Sequence, residues 1–168
     1  MYFYSIGGGF EDQIGLGVER IIDYAKRLGL GQTTGTEFSE SVGLLPTPAW
    51  KQENVPADPI WRVGDTYNLS IGQGMIQVTP VQMARLSSVI AMQGAIPELT
   101  FIQEIQNSAG EHVGPDSNPS PRQADISNEA FRIVREGMRE AVEYGTAKGL
   151  YFPEACTSEY LQYKHLLN

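Results

Sequence analysis

The strongest constraint on the fold is the helix start at residues 79–82, Thr-Pro-Val-Gln. Thr followed three residues later by Gln forms a capping box, in which each side chain accepts a backbone N–H that the helix leaves unpaired, and proline suits the first helical position because it has no N–H. The run from Pro80 to Gln93 is apolar almost all round and is followed by Gly94. A helix of this composition is normally buried, so we expect it to lie inside a fold that supplies packing partners on every side.

Apolar residues at helical spacing predict a helix before it, ending at Gly29, a residue that suits a left-handed C-terminal cap. Its stripe consists of Val18, Ile21, Ile22, Ala25 and Leu28. A third helix is expected after Ser127, a good N-cap, and before Gly145. Its predicted buried face consists of Phe131, Val134, Met138, Ala141 and Val142. On its opposite side we expect ion pairs of Arg132 with Glu136 and of Arg139 with Glu143.

The remaining segments carry weaker signals. Residues 31–74 contain four prolines and both tryptophans, Trp50 and Trp61, and we expect packed irregular chain there. Residues 99–105 and 111–113 could pair as a hairpin across the turn-forming residues 107–110. Residues 114–123, with three prolines, are typical of an exposed loop.

Composition excludes several classes of function. Twelve Lys and Arg against twenty Asp and Glu give a net charge of -8, which disfavours binding to nucleic acid or to an anionic membrane surface. A single cysteine and two histidines leave too few ligands for a multi-cysteine metal site. The glycine-rich segments 15–17 and 29–31 lack the third glycine and preceding strand of a dinucleotide site. We therefore predict no cofactor and no metal.

The other chemically suggestive residues favour structural interpretations. Cys156 and His165 lie in a terminal tail with no evident scaffold to hold a thiol–imidazole pair. The acidic residues near positions 11–12 and 37–40 are read as solvated carboxylates. The N-terminus has no basic region before its apolar residues, and residues 86–102 are interrupted by polar residues and proline, so neither segment is read as a signal or a membrane span. Made as written, the chain is expected to stay in the cytoplasm.

The segment 64–84 is far more specific. It reads Gly-Asp-Thr-Tyr-Asn-Leu-Ser-Ile-Gly-Gln-Gly-Met-Ile-Gln-Val-Thr-Pro-Val-Gln-Met-Ala. This closely resembles the Gly-Asp-Thr…Asn…Ser-Ile-Gly-Gln-Gly…Thr-Pro…Gln-Met-Ala signature of class B penicillin-binding proteins, the peptidoglycan D,D-transpeptidases. Residues 25–35 and 43–48 are similar to the penicillin-binding protein 2 type, which acts in cell elongation, and residues 2–4 resemble those just after the family's Ser-x-Asn motif.

The resemblance implies an α+β fold of the serine β-lactamase/transpeptidase kind, of which this chain supplies mainly helices and one small β-hairpin. It also implies acyl transfer from D-Ala-D-Ala stem peptides through a serine ester. The family's three motifs are Ser-x-x-Lys, Ser-x-Asn (or Ser-x-Asp) and Lys-Thr-Gly, and none of them occurs in this sequence. We therefore predict no catalytic residue, and expect an internal fragment that is inactive alone.

Nine residues are predicted to support the family's cleft rather than to react. They are Asp65, Asn68, Ser70, Gly72, Gln73, Gly74, Thr79, Gly145 and Thr146. Ser70 has no lysine or other base at helical spacing, so it is not read as a nucleophile. The two glycines permit close backbone approach, Thr79 caps a helix, and residues 145–146 are expected to lead into a strand that bears the third motif.

We expect residues 1–154 to be a partial transpeptidase domain, lying between the second and third motifs, and residues 155–168 to be a tail foreign to the family. For the intact family, the resemblance implies peptidoglycan stem peptides and β-lactams as ligands, cell-elongation membrane proteins as partners, and a membrane anchor with the enzyme facing the periplasm or cell exterior. An alternative reading is a non-catalytic binding or scaffold module derived from the helical lobe.

Overall fold

The computed structural model describes residues 2–102, 104–114 and 120–150. This part of the chain is mostly helical, with one small antiparallel sheet, as the resemblance predicted. Its α-helices are α1 (Tyr2–Gly8), α2 (Gly17–Arg27), α3 (Pro48–Asn54), α4 (Val63–Ser70), α5 (Pro80–Ala91) and α6 (Asn128–Glu143). The strands are β1 (Ala95–Ile96) and β2 (Arg122–Gln123), and a 3-10 helix spans Lys148–Leu150. Among the described residues, those up to 126 belong to one compact unit and those from 127 to 150 to a second.

Helix α2 confirms the first periodicity argument. Ile22, in the centre of the predicted stripe, is 4% exposed, and Leu30 just beyond the helix is also buried. Gly29 has a φ of 91°, the left-handed backbone that the sequence predicted for a residue ending this helix. Lys26 and Arg27 lie in the last turn, where positive charge favours the helix dipole.

Residues 31–74 are not wholly irregular, which corrects our expectation. They contain α3 and α4, helices of seven and eight residues. Thr47 caps α3, its Oγ1 accepting a hydrogen bond of 3.1 Å from the backbone N–H of Trp50. Helices this short present too few turns for a period to be read, and the cap residue of α4 is Arg62, which gives no sequence signal. Helix α1, which has seven residues and ends in two glycines, is likewise too short for a helical period to be recognised.

Helix α5 begins as predicted, but the expectation that it is buried all round is wrong. The Thr79 side chain accepts the Gln82 N–H and the Gln82 side chain accepts the Thr79 N–H, both at 3.1 Å. Its most buried side chains include two of its polar ones, with Gln82 only 1% and Arg85 only 5% exposed, whereas Met83 is 45% exposed. Both buried side chains bond to backbone carbonyls outside α5, so they are satisfied away from water.

The small sheet differs from the predicted hairpin. β1 and β2 pair antiparallel, with Ala95 opposite Gln123 and Ile96 opposite Arg122. Where the predicted pairing of 99–105 with 111–113 is described, it takes the form of an isolated bridge between Gln106 and His112. The turn is closed by Asn107 Oδ1, which accepts the N–H groups of Ala109 and Glu111. Part of the predicted loop at 114–123 is the strand β2.

Helix α6 confirms its cap but only part of its predicted faces. Ser127 Oγ accepts the Ala130 N–H at 3.3 Å. Phe131 is buried, whereas Val134 and Met138 are close to half exposed, so the predicted buried face is wrong for those two. Arg139 pairs with Glu143, as predicted, and also with Glu136. Arg132 pairs with Glu129 instead of Glu136, because the (i, i+3) partner lies within reach on the same face.

No helix within residues 2–102, 104–114 and 120–150 is long and apolar enough to cross a lipid bilayer. The foreign tail predicted at 155–168, with Cys156 and His165, lies outside the described residues, as does the proline-bearing stretch 115–119 of the predicted loop.

Candidate cleft-supporting site

The signature segment 64–84 folds into α4, a glycine turn and the start of α5. Leu44 and Gln77 exchange both backbone hydrogen bonds, at 2.8 and 2.9 Å, which ties the connection between the two helices to the chain before α3. Seven of the nine predicted residues therefore occupy one continuous stretch, while Gly145 and Thr146 belong to the second unit.

Asp65 holds the first turn of α4. Its Oδ2 accepts the Arg62 backbone N–H at 2.7 Å and a hydrogen bond of 2.8 Å from Lys51 Nζ. Partial burial by itself would raise the pKa of Asp65, but these two hydrogen bonds outweigh it and hold the pKa below its ordinary value. The carboxylate thus stays ionised and links the cap of α4 to α3.

Lys51, which the sequence did not single out, is the cation of this cluster and is 3% exposed. Its Nζ also donates to the Ile60 carbonyl at 2.9 Å and to Asp58 Oδ2 at 3.3 Å, so all three of its protons have acceptors. The hydrogen bond to Asp65 raises the pKa of Lys51 above its ordinary value. Arg62 supplies the second cation, bonding both oxygens of Asp58 at 2.6 and 2.7 Å.

Ser70 stands at the end of α4, and its hydroxyl donates to the Thr66 carbonyl at 2.6 Å. It lies directly against Gly7 of α1, because a Cβ added at Gly7 would stand 1.6 Å from Ser70 Oγ. The hydroxyl proton is therefore held by a backbone carbonyl within its own helix, and the surrounding contact is with a glycine. This arrangement suits a packing role, and within the described part of the chain the hydroxyl is bonded to a carbonyl and not to a base.

Tyr67 is a second contact between α4 and α1 that the sequence did not reveal. Its hydroxyl donates to the Gly9 carbonyl at 2.8 Å, and its ring lies where a Cβ at Gly8 would come within 2.2 Å. The ring also meets Tyr4 edge-on, with centroids 5.8 Å apart. Tyr67 and Ser70 are one helical turn apart, so together they form the face of α4 that receives α1. Recognising them from sequence required knowing that both short segments are helices.

The turn after α4 is built by two predicted glycines. Gly72 and Gly74 have φ values of 71° and 85°, and the Gln73 N–H returns to the Asn68 carbonyl at 2.9 Å. This brings the exposed side chains of Asn68 and Gln73 to the rim of a cavity of about 220 Å³. Trp61, Met75 and the Lys51–Asp65 pair also line it.

Helix α5 anchors the loop that follows α2. Gln82 Nε2 donates to the carbonyls of Gln32 and Val42, at 2.9 and 3.0 Å. Arg85 donates to the carbonyls of Thr33 and Gly29, at 2.9 and 2.5 Å. The helix that begins at the Thr79 capping box therefore holds the backbone of residues 29–42 through the side chains of Gln82 and Arg85.

The same loop is closed by Glu40, whose carboxylate accepts the backbone N–H groups of Thr34, Gly35 and Thr36 and the hydroxyl of Thr34. Burial acts to raise the pKa of Glu40, but the hydrogen bonds from Thr34 and Thr36 prevail and lower it to about 2. The sequence predicts a solvated carboxylate at this position, and these hydrogen bonds show that prediction to be wrong.

In the second unit, Gly145 and Thr146 follow α6. The Gly145 N–H donates to the Glu140 carbonyl at 3.1 Å, and a Cβ at Gly145 would stand 2.9 Å from Ala141 backbone atoms. Glycine is thus needed for the tight exit from the helix. Thr146 lies exposed in the turn before the 3-10 helix. The strand expected after these residues is not tested by the described part of the chain.

Comparison with known proteins identifies the class. A family model described as the penicillin binding protein transpeptidase domain matches residues 10–157, and the chain belongs to that family. Among curated proteins, the peptidoglycan D,D-transpeptidase MrdA of Acinetobacter baumannii is 28% identical over 155 residues, which are 90% of this chain and 21% of that protein. The chain thus spans about a fifth of the length of such relatives.

Solved structures agree with this class. The chain is similar to penicillin-binding protein 2 of Pseudomonas aeruginosa, with a TM-score of 0.66 and 29% identity, covering 88% of this chain and 32% of that one. It is also similar to penicillin-binding protein 2 of Helicobacter pylori in its complex with MreC, with a TM-score of 0.67 and 25% identity, covering 85% of this chain and 24% of that one. The resemblance to the penicillin-binding protein 2 type is therefore confirmed.

Proposed function

We propose that this chain is the part of a peptidoglycan D,D-transpeptidase domain that supports the catalytic cleft, and that it does not perform acyl transfer by itself. The observation that carries the proposal is the seating of α1 on α4 through Ser70 and Tyr67. In the family that the sequence resembles, residues like those of α1 follow the Ser-x-Asn motif. Holding α1 would therefore hold the backbone that directly follows that motif.

The contact is suited to precise positioning. Glycines on α1 let the Ser70 and Tyr67 side chains approach its backbone directly, and the Tyr67 hydroxyl fixes the helix end at Gly9. α4 is itself held by Asp65 and the buried Lys51. Rigid support of this kind is what catalytic groups need, because small displacements lower reaction rates strongly.

The inactivity of the chain alone is argued from its residues. Acyl transfer through a serine requires a base that removes the hydroxyl proton, and the family uses a lysine three residues after the serine. No serine of this sequence has one, and Ser70 donates its proton to the Thr66 carbonyl. The nine cleft-supporting residues, Asp65 to Thr146, remain proposed structural residues and not reacting groups.

The inactivity proposal is tested by incubating the purified 168-residue chain with a fluorescent penicillin, beside an intact penicillin-binding protein 2 as positive control. We expect no covalent label on the chain under conditions that label the control. Labelling that maps to a serine of this chain would contradict the proposal.

Testing the supporting role requires a protein that contains all the catalytic motifs. Residues 2–150 would replace the matching segment of Pseudomonas aeruginosa penicillin-binding protein 2, and the rate of acylation by fluorescent penicillin would be measured. Tyr67→Phe, which removes the hydroxyl bound to Gly9, is expected to slow acylation several-fold while thermal stability changes little. Val63→Ala, an exposed position on the same helix, is the matched control. Equal rates for the Tyr67→Phe chimera and its parent would overturn the supporting role.

For the intact protein we propose D-Ala-D-Ala stem peptides as substrates, β-lactams as covalent ligands, and a position on the outer face of the cytoplasmic membrane. Membership of a cell-elongation assembly is supported by the Helicobacter pylori complex of penicillin-binding protein 2 with MreC. The proposed domain limits remain 1–154 for the transpeptidase portion and 155–168 for the tail. Co-purification with an MreC-type protein, compared with an unrelated control, tests the assembly.

A further inference from the structure

The cavity beside α4 has the composition of a small ligand site. Its lining combines apolar residues (Trp61, Met75, Val55, Leu69 and Pro46) with polar ones (Lys51, Asp58, Asp65, Asn68 and Gln73). A volume of about 220 Å³ equals roughly seven water molecules at about 30 Å³ each. It is smaller than the pockets that hold drug-sized molecules, and it suits one compact ring.

The polar groups of the cavity differ in how far they are already used. Lys51 has acceptors for all three of its protons, and Asp58 is occupied by Arg62 and Lys51. By contrast, the side-chain amides of Asn68 and Gln73 make no hydrogen bond within the described residues, and Asp65 uses only Oδ2. Two carboxamides and one carboxylate oxygen are thus available to a ligand at the rim.

The charge of the cavity argues for a neutral ligand. Lys51 and Arg62 balance Asp65 and Asp58, in contacts of 2.6–3.3 Å. A cation or an anion would have to compete with a partner already in place, at a cost in desolvation. Carboxamides both donate and accept, so they match hydroxyl and amide groups on an uncharged molecule.

The indole of Trp61 supplies the remaining specificity. Its Nε1 is occupied, donating to Thr66 Oγ1 at 2.9 Å, so the ring offers apolar surface to the cavity and no donor. A flat apolar surface beside carboxamides and a carboxylate fits a ring that is apolar on one face and carries hydroxyl groups at its edge. A pyranose sugar has this form.

We propose that this cavity binds one pyranose ring of a neutral, N-acetylated sugar, with the ring face against Trp61 and its hydroxyl and acetamido groups on Asn68, Gln73 and Asp65. That the sugar belongs to a glycan strand of the cell wall rests on the proposed function. The glycine turn at 72–74 positions the rim, because it sets Gln73 against the end of α4 that carries Asn68.

The test is a titration of the purified chain with N-acetylglucosamine, followed by tryptophan fluorescence. A saturable change is expected in the wild type and in Trp50→Phe, whose tryptophan lies outside the cavity, but not in Trp61→Phe. Asn68→Ala and Gln73→Ala replace exposed side chains, so they should fold normally, and each is expected to weaken binding about tenfold. Glucose, which lacks the acetamido group, should bind more weakly than N-acetylglucosamine.

Several results would overturn the proposal. They are the absence of a saturable change, undiminished binding by the Asn68→Ala and Gln73→Ala variants, or tighter binding of N-acetyl-alanine methylamide, which would assign the cavity to peptide. The outcome is separable from that of the proposed function. Tyr67→Phe, whose side chain does not line the cavity, should leave sugar binding by the chain unchanged while it slows acylation of the chimera by penicillin.

Discussion

Arg85 Nη2 donates a hydrogen bond of 2.5 Å to the carbonyl oxygen of Gly29, 56 residues earlier, and so joins α5 to the end of α2. The same guanidinium reaches the Thr33 carbonyl at 2.9 Å. A side chain that is 5% exposed thus serves as the partner of two backbone acceptors that no strand or helix satisfies. The conformation of the loop 29–42 therefore depends on Arg85.

Arg85→Met is therefore expected to destabilise the chain by about 1–3 kcal/mol, because it removes the donor to two backbone carbonyls, of which that of Gly29 lies in a buried residue. The free energy of unfolding would be measured in urea. Arg20→Met, at an exposed position of α2, is the control and should change stability by less than about 0.5 kcal/mol. Equal effects of the two substitutions would contradict the anchoring role of Arg85.

Gly7→Ala is expected to separate α1 from α4, because the new Cβ would stand 1.6 Å from Ser70 Oγ. The cost of such overpacking is about 1–3 kcal/mol. Ser70→Gly in the same chain removes the clashing atoms and should recover part of the loss. Gly64→Ala, where a Cβ meets nothing within 4 Å, is the control. Thermal unfolding is measured for the wild type, the two single variants, the double variant and the control, and additive effects of Gly7→Ala and Ser70→Gly would argue against the contact.

Glu40 predicts how stability responds to acid. Its pKa is lowered from 4.5 to about 2 in the folded chain, so the unfolded chain binds the proton first as the pH falls. The stabilisation by Glu40 is present above about pH 4.5 and is lost between that pH and about 2. Glu40→Gln should lower stability at pH 7, and the difference from wild type should shrink towards pH 2. A difference that does not vary with pH would show that the carboxylate charge is irrelevant.

Gly137→Ala is expected to stabilise the chain. Gly137 lies inside α6, and an added Cβ would meet nothing within 4 Å, so alanine removes backbone entropy from the unfolded state without a clash. The gain expected for glycine to alanine within a helix is about 0.5–1 kcal/mol. Circular dichroism during heating measures it, and a lower melting temperature would show that this face of α6 is not open.

The sequence was most informative where a single helix carries its own signals. The Thr79–Gln82 capping box, the Ser127 cap and the left-handed Gly29 are local features, settled by residues three or four positions apart, and all three are confirmed. The family was also recognisable, because segment 64–84 closely resembles the family's signature. These predictions required no knowledge of which helices and strands contact one another.

The supporting contacts could not be predicted because they join distant segments. Tyr67 meets Gly9 across 58 positions and Gln82 meets Gln32 across 50, and neither spacing leaves a pattern in one sequence. Lys51 is the clearest case. A lysine in a short polar helix is normally expected at the surface, and only the fold shows that two carboxylates and a carbonyl surround it.

The burial of Lys51 also determines its reactivity towards acylating reagents. An amine attacks an activated ester only as the free base, and this one is shielded and kept protonated by its three acceptors. The exposed Lys26 and Lys148 should be modified first, with Lys51 following only when α3 and α4 move apart. The rate at which Lys51 is labelled would therefore report how often α3 and α4 separate.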